Sequence, residues 1–141
     1  METATTTIPT TILSAAQLLY PRLKAWLDSY GVSDGYGVSG IYPVGVSREV
    51  KQPYVTFYRA SLDSSAVKGG LPANSAEVVV QVFSSDYGEG LRIAERVYNA
   101  LEGYTVETPA LRLRSCRCTD AAETTDGADL YVQNLKFRIR I

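Results

Sequence analysis

The sequence predicts a single α+β domain, with about four strands in an antiparallel or mixed sheet and two helices packed on one face. Two segments carry apolar residues at helical spacing, and four carry strand patterns. They follow one another in the order helix, strand, strand, helix, strand, strand. The length of 141 residues suits one domain, and no internal repeat or long linker divides the chain.

The first helix is predicted to follow a Thr-rich segment. We expect residues 1–13 to form a flexible arm and residues 14–141 to form the domain. Ser14 begins a capping box, and helical spacing continues as far as Gly31. Pro21 lies inside this pattern and removes one backbone hydrogen bond. Either the helix kinks there, or a short turn precedes a helix with Pro21 near its first position.

The middle of the chain alternates irregular segments with strands. Residues 31–53 are rich in glycine and proline, with room for a short extended piece around Ile41 and Tyr42. "YVTFYRA", which starts at Tyr54, predicts a strand. "EVVVQVF", which starts at Glu77, predicts another that is central in the sheet because it is almost entirely apolar.

A polar segment from Ser61 to Ala76 separates these two strands, and we expect a loop of about sixteen residues there. Unstructured loops of that length are uncommon in compact domains and usually have a function. Lys68, Gly69 and Gly70 at its centre are therefore candidate contact residues.

A glycine-rich turn, Gly88-Glu89-Gly90, leads from the second strand into the second helix. Such turns can hold a phosphate, but Ile93 stands where a dinucleotide fingerprint needs a third small residue. Asp86 and Glu89 would also repel a phosphate. The turn therefore predicts a capped corner, with Asp86 starting a helix that Gly103 ends. Its expected apolar face comprises Leu91, Ala94, Tyr98 and Leu101, widened by Ile93 and Val97.

The last part of the chain predicts two strands joined by an acidic turn. "LRLRSCRC" alternates like a strand, "TDAAETTDGAD" reads as a solvated turn, and "LYVQNLKFRIRI" alternates again. The final strand is expected to present one mainly apolar face, composed of Tyr131, Gln133, Leu135, Phe137, Ile139 and Ile141.

The composition argues against common enzyme chemistry. The chain has no histidine, which removes the commonest general base and metal ligand. Cys116 and Cys118 lie on one side of a strand in poor disulfide geometry, and two thiolates do not complete a zinc site. The net charge is −1, and no apolar run is long enough to span a membrane. We therefore expect no enzyme, no metal, no cofactor and no membrane partner.

Basic residues concentrate on the two C-terminal strands. If these strands pair, their polar faces would form one patch on the side of the sheet away from the helices. Arg117 is out of phase and joins the patch only if its strand bulges or ends first. The patch is either a solvated face or an interface with an acidic partner or nucleic acid. Its members are Arg112, Arg114, Arg117, Lys136, Arg138 and Arg140.

Three blocks of the sequence resemble a known family. "GIYPVGVSREVKQPYVTFYRAS", "AEVVVQVFSSDYGEGLRIAERVYNALEGY" and "DLYVQNLKFRIRI" occur in the order and spacing found in tail-completion and tail-terminator proteins of long-tailed bacteriophages and prophages. The resemblance covers roughly residues 15 to 141. The Thr-rich arm, the two cysteines and the acidic turn lie outside it.

The resemblance implies a structural protein that works in the virion. Proteins of this family form a hexameric ring that caps the last ring of the tail tube and offers a surface to the head or neck. The implied partners are further copies of the chain, the major tail tube protein and a neck or head-completion protein, with non-specific contact to passing DNA. Synthesis would take place in the cytoplasm of the bacterial host. The alternatives are a neck or head-completion connector, or a free-standing α+β binding module.

Overall fold

The computed structural model describes residues 12–34, 38, 40–43, 53–66, 72–109, 111–125 and 129–141. It has the predicted α+β architecture. A 3-10 helix, Ile12–Leu18, precedes α1 (Tyr20–Asp34), and α2 spans Tyr87–Leu101. The strands are β1 (Ile41–Pro43), β2 (Tyr54–Ala66), β3 (Pro72–Ser84), β4 (Val106–Glu107), β5 (Arg112–Leu113), β6 (Ser115–Thr125) and β7 (Tyr131–Arg140).

Five of these strands form one mixed sheet in the order β1-β2-β3-β7-β6. β1 pairs with β2 in parallel, and the other pairs are antiparallel. β3 is central, as its apolar sequence predicts. The sheet has one more strand than expected because the short extended piece around Ile41 pairs with β2. β4 and β5 form a separate two-stranded ribbon.

Both helices pack on one face of the sheet, which we call the helix face. The core between the layers is built from Leu19, Leu23 and Leu27 on the α1 side and from alternate residues of the strands. β7 contributes Leu135, Phe137 and Ile139, in the phase expected from the sequence. Alternate strand residues are buried because successive side chains point to opposite faces.

The chain around Pro21 adopts the second predicted alternative. α1 begins at Tyr20, so Pro21 lies in its first turn, where a missing N–H costs no intrahelical hydrogen bond. The capping box at Ser14 was wrong, because the 3-10 helix already begins at Ile12. α1 also continues beyond Gly31 to Asp34.

Asp86 caps α2 as predicted, but the buried face of the helix was predicted only in part. Leu91 and Tyr98 are 36% and 43% exposed, whereas Gly90 and Ala100 are buried. A Cβ on Gly90 would lie 3.4 Å from that of Ser84 on β3. The helix therefore approaches the sheet through its small residues, which turns the larger Leu91 and Tyr98 towards its flank.

Two predicted connections were wrong, because strands continue through them. β2 extends to Ala66 and β3 begins at Pro72, so the supposed loop from Ser61 to Ala76 is mainly the far end of a hairpin. Lys68, Gly69 and Gly70 lie outside the described residues. β6 likewise runs to Thr125, which makes most of the acidic turn a strand paired with β7.

Candidate interface on the open face and edges of the sheet

The face of the sheet opposite the helix face, which we call the open face, is covered by no helix among the described residues. Paired residues share a face, so the strand register places Gln81, Asn134 and Lys136 on the open face. Gln81 donates to the Asn134 Oδ1 at 2.7 Å, and the Thr56 hydroxyl donates to the Gln81 Oε1 at 3.2 Å. A polar ladder thus crosses three strands. The single glutamine within "VVVQVF" was its only signal in the sequence.

The basic residues of β6 and β7 lie at one end of the open face. Arg117 stands directly across from Arg138, and Ser115 across from Arg140. The strand is interrupted at Arg114, between β5 and β6, and the Arg114 backbone N–H donates to the Arg140 carbonyl at 2.8 Å. This interruption brings Arg117 into the same group as Arg114. From the sequence, Arg117 was predicted to join the patch only if its strand bulged or ended first, and the strand does end there.

Four arginines line a shallow depression of about 570 Å³ there. Its lining is completed by Ser115 and Thr119. Arg112 lies outside this depression, because it pairs with Glu107 in the β4–β5 ribbon and lines a neighbouring depression together with Arg114. Lys136 is on the same face but is half-buried and stands across from Asp120. The structure thus groups Arg114, Arg117, Arg138 and Arg140, and places Arg112 in a neighbouring depression that shares only Arg114 with this group.

Carboxylates neutralise part of this charge. Arg138 pairs with Glu77 at 3.4 Å, and Arg117 pairs with Glu102 at 2.8 Å. Among the described residues, Arg114 and Arg140 have no ion-pair partner. The excess positive charge of the depression is therefore carried mainly by these two side chains.

Glu102, which follows α2, also seals part of the outer edge of β6. Its carboxylate accepts a 2.7 Å hydrogen bond from the Cys118 backbone N–H, and the next N–H, from Gly103, donates to the Cys116 carbonyl at 2.8 Å. The Cys118 N–H, together with the Arg117 guanidinium, holds the pKa of Glu102 below its usual value. The Cys118 N–H and the Cys116 carbonyl are thus satisfied at this edge without another strand.

The other end of β6 is fastened from its helix face. Glu123 accepts hydrogen bonds from the Tyr87 hydroxyl at 2.6 Å and from the Gln133 amide at 2.8 Å. These bonds lower the pKa of Glu123, while donating to a carboxylate raises the pKa of Tyr87. Tyr87 also packs edge-on against Tyr131. Local sequence patterns did not indicate this cluster, because Tyr87 lies 36 residues before Glu123 in the chain.

The cysteines lie on the helix face and are both free thiols. Burial raises the pKa of Cys116 to about 12 and also raises the pKa of Cys118. Both therefore stay protonated and weakly nucleophilic at neutral pH. No group of three or more metal-binding side chains occurs within the described residues.

The glycine-rich corner forms the first turn of α2 and is a structural cap, as predicted. Asp86 accepts a 2.9 Å hydrogen bond from the Glu89 backbone N–H, and the Ser84 hydroxyl donates to the Glu89 carboxylate at 2.7 Å. Ile93 is fully buried in the core. The helix start is thus occupied by the oxygens of the chain itself. No helix in the described residues is long and apolar enough to cross a membrane.

Fold and surface together define a small two-layer α+β protein whose distinctive features are an open sheet face and exposed strand edges. The chain belongs to the family of tail completion protein gp17, whose family model matches residues 22–141. It is therefore a structural protein of a phage-type tail, the class that the sequence resemblance indicated.

The fold also occurs in a solved assembly. A chain from the structure described as "Virion of native gene transfer agent (GTA) particle" matches with a TM-score of 0.67 and 20% identity, over 84% of this chain and 90% of that chain. At this identity the likeness shows the shared fold. A second solved chain matches with a TM-score of 0.49 and 15% identity, over 89% of this chain and 94% of that one. No curated protein matches the chain in sequence.

Proposed function

We propose that the protein caps the end of a tail tube as a ring, stops tail polymerisation there and provides the surface to which the head or neck attaches. The observation that carries this proposal is the family match, which spans residues 22–141 and therefore both layers of the fold. The shared fold with a chain of a gene transfer agent virion supports it.

The exposed surfaces suit a ring subunit. A heterologous contact joins two different surfaces of one chain, and it generates a closed ring when the rotation between copies closes. The chain has two different sheet edges, one formed by β1 and β2 and the other by β6. The proposed ring contains six copies and contacts the tail tube protein on one side and a neck or head-completion protein on the other.

DNA would pass through such a ring during packaging or ejection. The arginine depression on the open face is the described surface best suited to touch it, since Arg114 and Arg140 have no carboxylate partner among the described residues. A net charge of −1 per chain argues for weak, non-specific contact. The protein would be made in the bacterial cytoplasm and retained in the virion.

Deleting the gene from its phage or prophage and imaging the particles tests the proposal. We expect over-long tails without heads, restored to normal by a plasmid copy of the wild-type gene. Headless tails of normal length would instead indicate a connector between neck and tail. Normal infectious particles would contradict both roles. Light scattering on the purified protein should show a ring, and a monomer at every concentration would count against the proposal.

A further inference from the structure

The outer edge of β6 is free over about half of its length. Glu102 and Gly103 seal the edge at Cys116 and Cys118. From Thr119 to Thr125, no described residue forms a backbone hydrogen bond to the outer side of the strand. This free half contains neither proline nor lysine, which are common protections of an edge strand.

β2, near the opposite side of the sheet, has a free half as well. β1 covers it from Val55 to Phe57. From Tyr58 to Ala66, no described strand lies on its outer side. The sheet thus has one free stretch near each edge, and the two lie at opposite ends of the strands.

The backbone groups on these stretches point in matching directions. On β6, Cys116 and Cys118 face the helices and direct their backbone outward. On β2, Val55 also faces the helices, and its N–H donates outward to the Gly40 carbonyl at 3.0 Å. Because N–H and C=O groups alternate sides together with side chains, every helix-facing residue of either edge directs its backbone outward.

We infer that, within the ring proposed above, the free half of β6 in one copy pairs with the free half of β2 in the next copy. This inference rests on the proposed function for the existence of the ring. β6 and β2 run in opposite directions within the sheet, so copies that stand in the same direction bring them together antiparallel. The partner of this surface is therefore a second copy of the chain.

The side chains of the two edges are complementary in this arrangement. Ala121 and Glu123 are among the helix-facing residues of the free half of β6, and Leu62 and Arg59 are among those of β2. Placing Ala121 beside Leu62 also brings Glu123 beside Arg59, since the bulge between Arg59 and Ser61 adds one residue to β2. An apolar pair and an ion pair then lie next to each other across the junction.

Exposed apolar side chains flank both edges on the helix side. Tyr87, Leu91 and Tyr98 form a stripe along α2, and Tyr87 contacts β6 through Glu123. On the β2 side, Leu13 is 59% exposed and its carbonyl accepts a hydrogen bond from Arg59. Edge pairing would bring Leu13 of one copy towards the α2 stripe of its neighbour and bury apolar surface on both.

The offset between the two free stretches fits a closed ring. Within one copy, Ala121 pairs with Leu135, which pairs with Val80, which pairs with Phe57. Ala121 and Phe57 therefore lie at the same height in the sheet. Leu62 lies five residues farther along β2, one of which is the bulge residue, so the next copy is displaced by four ladder steps. Since β6 pairs directly with β2, each copy adds four strand spacings, about 19 Å. A displacement of about 13 Å along the strands over that width tilts the strands by about 35°. Closed barrels tilt their strands by a comparable 35–45°.

The direction of the offset determines which face is inside. β3 and β6 are parallel and are connected through α2, a type of crossover that is right-handed. Seen from the helix side with β6 upward, β6 is then the right edge, free in its upper half, and β2 is free in its lower half. Each copy to the right is therefore displaced upward along the strand direction. When the copies close into a level ring, this displacement tilts the upper end of every strand to the right. This is the right-handed coil of natural barrels only if the helices lie outside.

The open face, with its polar ladder and arginine depression, would then line the lumen. Six such sheets, with four strand spacings each, would enclose a channel about 45 Å across at the strand backbone, given the spacing and tilt of the strands.

Cysteine cross-linking tests this junction. We would introduce Ala121→Cys and Leu62→Cys together in a Cys118→Ser background and oxidise the assembled protein. Residues opposite each other across paired strands come within disulfide reach. We expect a ladder of covalent oligomers that ends in a closed ring, at least tenfold above the yield from a Glu95→Cys and Leu62→Cys control. Glu123→Cys with Leu62→Cys provides a second pair that samples the neighbouring register.

Light scattering before oxidation separates the possible outcomes. A ring that cross-links through neither β6 position above the control would overturn the edge pairing and leave the proposed function standing. A protein that folds but forms no ring would overturn both. An electron-microscopy map with the helices on the inner radius would overturn the assigned orientation.

Discussion

The two halves of β6 contrast within one strand. From Ser115 to Cys118, the strand is held on both sides, by β7 within the sheet and by Glu102 and Gly103 at the outer edge. From Thr119 to Thr125, β7 still lies on one side, but no described backbone group lies on the other. A register shift between Cys118 and Asp120 marks the boundary.

This contrast shows how one small domain divides its edge between folding and assembly. An unpaired strand edge is a template for pairing with another chain. Glu102 and Gly103, which follow α2, cover this edge at Cys116 and Cys118, and no described residue covers it from Thr119 onward. Both halves of β6 follow the same backbone rules, so substitutions that act differently on the two halves test whether the open half serves assembly.

Two adjacent proline substitutions should give the largest difference. Ala122 faces the open face, so its N–H points to β7, whereas the N–H of Ala121 points outward. We expect Ala122→Pro to lower the free energy of unfolding by about 2 to 4 kcal/mol, because a sheet hydrogen bond is lost. Ala121→Pro should change it by less than about 1 kcal/mol, since edge strands tolerate proline where the N–H faces solvent. Urea unfolding of each variant measures both values.

The same pair also separates folding from assembly. Ala121→Pro should yield a folded protein that no longer forms rings in light scattering, because the junction loses a donor and meets the proline ring. Equal destabilisation by the two substitutions would contradict the assigned backbone directions. Normal rings from Ala121→Pro would show that the open half is not the subunit contact.

Local sequence signals were enough to predict those elements whose structure is determined by their own residues. α2 carries its cap in Asp86 and a strong apolar periodicity, and the second half of β3 is rich in valine. β7 alternates regularly, so Leu135, Phe137 and Ile139 were predicted correctly on its buried face, although Tyr131 of that face is exposed and Val132 of the other is buried. In each case the residues that determine the structure lie within the element.

Elements stabilised by distant partners were not predictable in this way. The polar ends of β2 and β3 are strands because each pairs with the other, and a polar sequence alone suggests a loop. The acidic stretch around Glu123 is a strand because β7 lies beside it and Tyr87, 36 residues earlier, binds its carboxylate. The strand break at Arg114, which decides how the arginines group, has no local sign that distinguishes it from a regular strand.

Replacing Glu102 tests the sealed half of β6 and should have a moderate effect. Glu102→Gln keeps the size of the side chain but weakens the bonds to Cys118 and Arg117, so we expect a loss of about 1 kcal/mol in the free energy of unfolding at pH 7. Because folding lowers the pKa of Glu102, its contribution is full above the ordinary value of 4.5 and is lost as the pH falls through the lower folded value. The deficit of the variant should therefore shrink in acid.

Urea unfolding from pH 7 to pH 3 measures this dependence. Glu95→Gln on the exposed side of α2 removes the same charge without a bond to β6 and serves as the control. A deficit for Glu102→Gln that stays constant across the range would mean that its carboxylate charge does not stabilise the sealed edge.

The smallest effect on folding is expected from the arginine depression beside the sealed half. Arg114→Glu with Arg140→Glu should change the free energy of unfolding by no more than about 0.5 kcal/mol, because both side chains are exposed. If the open face lines the lumen, however, this pair should weaken duplex DNA binding by the ring and make its dependence on salt concentration less steep. Lys24→Glu with Arg92→Glu changes the charge equally on the exposed surface of the helices. Fluorescence anisotropy over a salt series compares the two, and equal weakening by both pairs would mean that DNA responds to net charge rather than to the depression.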